Sequence, residues 1–299
     1  EITAVEKRAL ERSRARLEKR GSSYSTSTNT AAVIPTSTLN EIVKKARKSG
    51  GLIGEARAFE IPSKVAVPIG NVTNKASWHV EGEEEESEKA EVTNVVFEAN
   101  EIIKVISISV KVESMSISAF ESYLTDELNA CIMETINEAM VSGTGNGQGT
   151  GIITGITWDE TNSVEVEDEI KYKDVVELIG KLKRGYAQGA KLAMNNSTLW
   201  KRFYGMEDEN KRPIFMIDPK NETIGKILGY DVIVDEYIED DEIIFGNYSQ
   251  YLGYNLPQGI IIESSRESSF RSGLIDYRAM AICDCKPLVK EAFVKMRVK

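Results

Sequence analysis

From Ile106 the chain alternates apolar and polar residues, with Ile106, Ile108, Val110 and Val112 set against Ser107, Ser109, Lys111 and Glu113. A two-residue period places one face in a core and leaves the other wet, so this stretch reads as a strand. The period then changes. Ile117, Phe120, Leu124, Leu128, Cys131, Ile132 and Ile136 recur at steps of three and four, and Ser118 with Glu121 forms a capping box at the start. The spacing predicts one helix from Ile117 to Val141, about 24 residues or roughly 36 Å at 1.5 Å per residue. That is long for a globular domain, and Phe120, Leu124, Leu128 and Ile132 form its buried stripe.

Glycine then occupies every second position: Gly143, Gly145, Gly147, Gly149 and Gly151. A phosphate-gripping loop needs GxGxxG between a strand and a helix, or GxxxxGK[ST] with its lysine, and neither is present. The run also follows a helix, whose carbonyl-rich end repels anions. A flexible joint is the reading that survives.

Elsewhere the pattern is weaker but ordered. A charged helix with a sparse apolar stripe at Val5, Ala9 and Leu17 ends at Gly21 and passes into a Ser/Thr-rich arm, so the folded body is expected from about Val33. A short helix over Leu39–Ile53 is capped by Ser37 or Thr38 with Glu41 in the capping-box position, and stops at Ser49-Gly50-Gly51. Two alternating runs then flank an acid cluster, which describes a long two-stranded excursion with an exposed acidic tip. Downstream, helices are predicted over Asp174–Tyr186 and over Asn196–Met206, the second capped by Asn196 or Ser197. Strands are predicted at Lys191–Asn195, around Tyr230–Ile238, Asp241–Asn247, Gly259–Ser264 and Tyr277–Cys285, and at the end of the chain. The fold class is mixed α+β, in a chain that leaves one lobe and returns.

Composition narrows the function. The 299 residues are 41% hydrophobic and 28% charged, which describes a globular protein. No apolar run approaches the roughly 20 residues of a bilayer span, and no secretory signal is visible, so a cytoplasmic compartment and no membrane partner are expected. The net charge of −10 argues against general adhesion to nucleic acid. Its distribution is uneven: residues 1–20 hold seven Lys or Arg against four Glu, whereas Glu81–Glu91 holds seven Glu against one Lys.

Candidate chemistry is sparse. His79 is the single histidine, beside Trp78 and the acid cluster, and reads as a partly packed loop residue or as a pH-sensitive contact to Glu81 or its neighbours. Zinc would need a fourth ligand beyond Cys283, Cys285 and His79. The two cysteines share a face of one strand and read as buried small hydrophobes. The glutamates Glu81, Glu83, Glu84, Glu85 and Glu86 lack the ligand spacing of an oxygen cage and read as a solvated or partner-facing loop. No cofactor, metal or catalytic residue is assigned.

Taken in order, these features resemble the major capsid proteins of tailed phages, the Hong Kong 97 (HK97-like) fold family. The resemblance runs from about Val33 to Val298. It rests on "AAVIPTSTLNEIV" at the entry, "ASWHVEGEEEE" in the loop, the long helix followed by "SGTGNGQGTGI", then "ILGYDVIVDE" and the closing "FRSGLIDYRAMAICDCKPLVKEAFV". It implies a scaffold-like helix and arm at 1–32, and a peripheral domain over 33–62, 99–150 and 263–288. An extended loop at 63–98 and an axial domain over 151–262 and 289–299 complete the division.

The function implied is a structural, non-enzymatic protein that self-assembles as pentamers and hexamers into an icosahedral head around double-stranded DNA. Trp78 and the glutamates from Glu81 to Glu86 would contact a neighbouring subunit, and the five glycines would act as a hinge. Scaffold, portal and decoration proteins are further implied partners, with DNA touched only weakly. The loop lysine Lys75 does not match the family's cross-linking pattern closely enough to carry that role over. A nanocompartment shell with enzyme cargo is the nearest alternative, and a metal-dependent enzyme using the acidic loop the most distant.

Overall fold

The computed structural model describes residues 50–61, 65–71, 91–111, 119–207, 211–216 and 225–299. The charged leader, the arm, most of the predicted first helix and the tip of the extended loop lie outside these residues. So do Lys75, Trp78, His79, Glu81, Glu83, Glu84, Glu85 and Glu86.

Strands β1 (Arg57–Phe59), β2 (Val65–Asn71), β3 (Glu91–Phe97) and β4 (Asn100–Ser109) precede the long helix α1 (Ala119–Ser142). Strand β5 (Ser163–Val166) leads to helix α2 (Tyr172–Lys181), β6 (Lys191–Met194) and a short helical segment from Asn196 to Phe203. The remaining strands are β7 (Phe215–Met216), β8 (Lys226–Ile227), β9 (Tyr230–Val234), β10 (Glu242–Gly246), β11 (Leu252–Asn255), β12 (Ile260–Ser265), β13 (Leu274–Pro287) and β14 (Phe293–Val298).

The chain groups into two compact units. The described part of the first is residues 102–111, 119–133 and 260–281. Here β12 runs antiparallel to β13, from Ile260 opposite Ala281 to Ser265 opposite Asp276, and β4 pairs with β13 as well. Ile108, Phe120 and Leu124 are buried together, with Ile106, Tyr123 and Tyr277 packed around them. Alternation on a strand thus meets a helical three-and-four repeat, each burying one side.

The described part of the second unit is residues 50–61, 65–71, 91–101, 134–207, 211–216, 225–259 and 282–299. Its largest element is a seven-stranded mixed sheet in the order β5-β14-β10-β6-β9-β8-β7. The last strand is inserted second from one edge, parallel to the edge strand β5 and antiparallel to β10. Val294 and Met296 of β14 are therefore in the core beside Ile243 and Phe245, and Val175 and Leu178 of α2 cover the same core. Beside this sheet in sequence, β11 pairs with β1 in parallel and with the last part of β13 antiparallel. β2 and β3 form a separate two-stranded ladder from Val65 opposite Phe97 to Asn71 opposite Glu91.

Several boundaries differ from the expectation. β4 begins at Asn100 and ends at Ser109, while Val110 and Lys111 already turn helical. Its first four residues alternate between half-buried and exposed, and the alternation breaks at Lys104 and Val105, which are both exposed. The helix predicted to reach Tyr186 ends at Lys181: Leu182 adopts an extended backbone and is buried, and only one further turn, Arg184–Ala187, follows. The next helical segment is capped one residue earlier than predicted, by Asn195, whose Oδ1 accepts the Ser197 N–H at 2.9 Å. Its last turn widens, with the Tyr204 N–H reaching Leu199 O at 3.2 Å. Gly50 to Ile53, the predicted end of the first helix, lie outside any helix; Leu52 to Ala56 form a turn.

Candidate functional site

The root of the β2–β3 hairpin is built from both apolar and ionic contacts. Phe97 ends β3 with a side chain 1% exposed, packed with Leu288, Phe59, Val67, Ile69 and Val95. The Phe59 and Phe97 rings lie 5.5 Å apart. One residue on, the Glu98 N–H donates to Asp284 Oδ2 at 2.6 Å. Lys286 Nζ stands 3.1 Å from the same oxygen and donates to Val96 O at 2.8 Å. The last turn of the hairpin is thereby tied to β13 by one carboxylate and one ammonium.

Asp284 is buried, and its Oδ1 has no partner among the described residues. Burial is the main cause that raises its carboxyl above the ordinary carboxylate value, opposed by the Glu98 N–H and Lys286. Its neighbours in sequence are equally dry. Burial pushes the Cys283 thiol up to about 12 and raises that of Cys285 as well. Neither is a nucleophile near neutral pH, since the thiolate is the reactive form. None of Cys131, Cys283 and Cys285 is in a disulfide among the described residues.

The glycine run folds onto Cys285. Thr144 and Thr150 form an isolated antiparallel bridge. The Gly145 N–H reaches Gly149 O at 3.1 Å, Thr150 N–H reaches Cys285 O at 2.7 Å, and Gly151 N–H reaches Gly143 O at 2.8 Å. The Thr154 hydroxyl also donates to Gly143 O. Close approach explains most of the glycines. A Cβ at Gly149 would stand 2.2 Å from Cys285 Sγ, and one at Gly143 2.3 Å from Gly149 O. Gly145 and Gly147 need positive φ, at 77° and 68°, and only Gly147 has open space around it.

The stripe of α1 is buried along its length: Phe120 4%, Leu124 5%, Leu128 0% and Ile132 1% exposed. Near its end, Asn137 enters a buried polar hub that the sequence pattern did not reveal. Asp235 Oδ2 accepts from Gly51 N at 2.9 Å, Leu52 N at 3.1 Å and Asn137 Nδ2 at 2.9 Å, while Oδ1 accepts from Tyr237 N at 3.0 Å. Asn137 Oδ1 in turn accepts from Ile53 N at 3.1 Å. The Ser-Gly-Gly sequence read as a helix stop is thus a place where backbone N–H groups meet side-chain acceptors. A Cβ at Gly51 would stand 2.5 Å from Val234 O.

Among the described residues no group of three or more His, Cys, Asp or Glu is placed to hold a metal ion, and several carboxylates stand beside a basic side chain. Lys295 stands 3.2 Å from the buried Glu242 and 5.0 Å over the Trp158 ring. Arg202 grips Asp241 with two nitrogens at 2.7 and 3.1 Å. What the geometry offers among the described residues is surface: a two-stranded hairpin tied at its root to β13, and a seven-stranded mixed sheet.

Solved structures share this architecture. The capsid of a native GTA particle, computed with C5 symmetry, matches with a TM-score of 0.77 at 15% identity, over 92% of this chain and 99% of that one. Chains of Microbacterium phage Oxtober96 and Gordonia phage Cozz match with TM-scores of 0.69 and 0.65 at 14% and 13% identity, each over 92% of this chain and 99% and 95% of theirs. Among curated proteins none matches the sequence. The fold is the α+β fold of HK97-like capsid proteins. The phage capsid family model matches residues 30–298, and the chain belongs to that family: it is a structural protein, a major capsid protein of a phage head.

Proposed function

We propose that copies of this chain assemble into a closed icosahedral shell of pentamers and hexamers around double-stranded DNA, without catalysing a reaction. The observation that carries this is the β2–β3 hairpin, which has no third strand among the described residues yet is firmly anchored at its root. An isolated two-stranded ribbon is marginal in water. A neighbouring subunit supplies the missing surroundings, and Trp78, Glu81, Glu83, Glu84, Glu85 and Glu86 make the contact. Acidic charge there gives orientation more than affinity.

Ring closure about an axis follows from a heterologous contact, and several modest contacts per subunit suffice because later ones form at high effective concentration. Adjustment between five-fold and six-fold positions belongs to Gly143, Gly145, Gly147, Gly149 and Gly151. Within that run Gly147 is the residue with open space around it, whereas Gly143, Gly149 and Gly151 are pressed against neighbouring atoms. Residues 1–32 act as the scaffold-like leader and arm, and portal and decoration proteins join the shell in the host cytoplasm. The net charge of −10 suits a container through which DNA slides.

Electron microscopy of the purified expressed chain tests the reading. Uniform closed shells are the expected result, and a compact monomer at high concentration refutes it. Nuclease protection on native particles then separates a DNA cargo from an enzyme cargo.

A further inference from the structure

Asn146 and Gly147 form the single Asn-Gly step of the sequence, and the fold places it at the apex of the glycine-rich turn after α1. The base of that turn is closed. Thr144 bridges Thr150, the Gly145 N–H reaches Gly149 O at 3.1 Å, and Gln148 Nε2 donates to Thr144 Oγ1 at 2.8 Å. The apex itself is bare. Asn146 and Gly147 are both exposed, and Gly147 stands at φ 68° with no heavy atom within 4 Å of where a Cβ would lie. Among the described residues nothing bonds the Asn146 side-chain amide or the Gly147 N–H.

Asn162 and Asn196 each precede a serine, and both are tied down. Asn162 Nδ2 donates to Thr157 O at 2.9 Å, its Oδ1 accepts from Asp159 N at 2.8 Å, and the following Ser163 N–H is held by Asp159 O at 2.8 Å. Asn196 Oδ1 accepts from Trp200 Nε1 at 2.9 Å, and the Ser197 N–H is held by Asn195 Oδ1 at 2.9 Å. A backbone nitrogen engaged as a donor, next to an amide fixed by its own bonds, does not swing onto the side-chain carbonyl carbon. At Asn146 both partners of that encounter are unrestrained.

We infer that Asn146 is a site of spontaneous deamidation, a covalent modification for which the chain supplies its own nucleophile. The Gly147 backbone nitrogen, having lost its proton to hydroxide, attacks Asn146 Cγ. A C–N bond forms, the Cγ–Nδ2 bond breaks, and the side-chain nitrogen takes a proton from water and leaves as ammonia. The product is a cyclic succinimide. Water then opens the ring at either carbonyl, giving an aspartate when the side-chain carbonyl is hydrolysed and an isoaspartate, with an added carbon in the main-chain path, when the backbone carbonyl is. Attack is intramolecular between adjacent groups, and Gly147 has no Cβ to obstruct it. Either product sets a new negative charge just beyond the carbonyl end of α1, where the helix dipole opposes it. The isoaspartate form also lengthens the chain inside the turn that Thr144 and Thr150 close. Copies of the chain thus become unequal in charge and in the geometry of the glycine run, and this holds whether or not the chain assembles.

Timed incubation of the full-length chain under native conditions, followed by peptide mapping with mass spectrometry, tests it. Asn146 is expected to gain the mass of an amide-to-acid exchange on the order of tenfold faster than Asn162 or Asn196. Isoaspartate is expected among the products, with heavy oxygen incorporated from oxygen-18 water, and the rate is expected to rise with pH because hydroxide generates the nucleophile. Gly147→Ala should slow the conversion on the order of tenfold by setting a Cβ beside the attacking nitrogen. Asn146→Gln, a change to an exposed side chain without partners, should leave the fold intact by circular dichroism and remove the acidic form that accumulates on ion exchange.

The same chain unfolded in urea gives the unrestrained rate at Asn146. Ready conversion there with none in the folded chain means that the turn holds the Gly147 nitrogen away from Asn146 Cγ, and overturns the inference. Conversion of the folded chain at Asn146 no faster than at Asn162 does the same. Aspartate without any isoaspartate, or an unchanged rate in Gly147→Ala, would show direct hydrolysis by water in place of attack by the backbone, and also overturns it.

Discussion

Asp235→Asn is the perturbation whose cost follows most directly from the geometry. The side chain is 0% exposed, and four donors converge on it, three on Oδ2 and one on Oδ1. The amide does best by keeping its oxygen under Gly51 N, Leu52 N and Asn137 Nδ2, which turns its NH2 toward the Tyr237 N–H. Each of the three retained bonds changes from charge-assisted to neutral, a loss on the order of 0.5–1 kcal/mol apiece. The fourth becomes donor against donor in a dry site, costing about 1–3 kcal/mol. The expected total is about 4 kcal/mol, a large share of the roughly 5–15 kcal/mol that holds a domain folded.

Urea unfolding of the unassembled subunit, followed by tryptophan fluorescence, measures this cost. Asn137→Ala removes one of the three donors to Oδ2 and the acceptor of Ile53 N, so a double-mutant cycle with Asp235→Asn should show coupling well beyond additivity. A loss below about 1 kcal/mol in Asp235→Asn would refute the reasoning, since it would mean that the four bonds are worth no more than their replacements in water.

Gly149→Ala should destabilise the subunit by about 1–3 kcal/mol through overpacking, and adding Cys285→Ala should recover part of it by removing the Sγ atom 2.2 Å from the new Cβ; denaturant midpoints of the three variants decide this. Phe97→Ala should cost about 3–5 kcal/mol in the same assay and loosen the hairpin root, seen as faster amide exchange at Val95 and Val96. Arg202 beside Asp241 holds that carboxyl below its ordinary value of 3.8, so the pair stabilises the fold above the ordinary carboxylate range and the stabilisation disappears as pH falls through the depressed folded value. Asp241→Asn should therefore flatten the acid limb of the stability curve, and equal slopes in both proteins would refute this. Because burial pushes Cys283 up to about 12 and Cys285 likewise upward, neither should react with a thiol reagent at pH 8 until the subunit unfolds; mass spectrometry of the labelled native protein reads the sites.

The long helix was legible before any coordinates, because Phe120, Leu124, Leu128 and Ile132 recur at a period that only a helix places on one side. The paired runs around the acid cluster were legible as a two-stranded excursion, and β2 and β3 are its paired strands, with a register that only the structure gives. Local chemistry at element ends was less readable: Asn195 rather than Asn196 or Ser197 caps its helix, because the cap is chosen by which side chain reaches Ser197 N. The glycine run was recognised as something other than a phosphate loop. That Gly149 is fitted against Cys285 could not be seen, since the partner atoms lie more than a hundred residues away.

By itself, then, the sequence determined which segments are helix and strand and how the charge is spread, because periodicity and composition are local properties of the chain. The three-dimensional arrangement decided where the last strand inserts, which carboxylates are buried, and what Asp235, Asp284 and Lys286 hold. These depend on contacts between residues far apart in sequence, and no local pattern encodes a partner 98 or 184 positions distant.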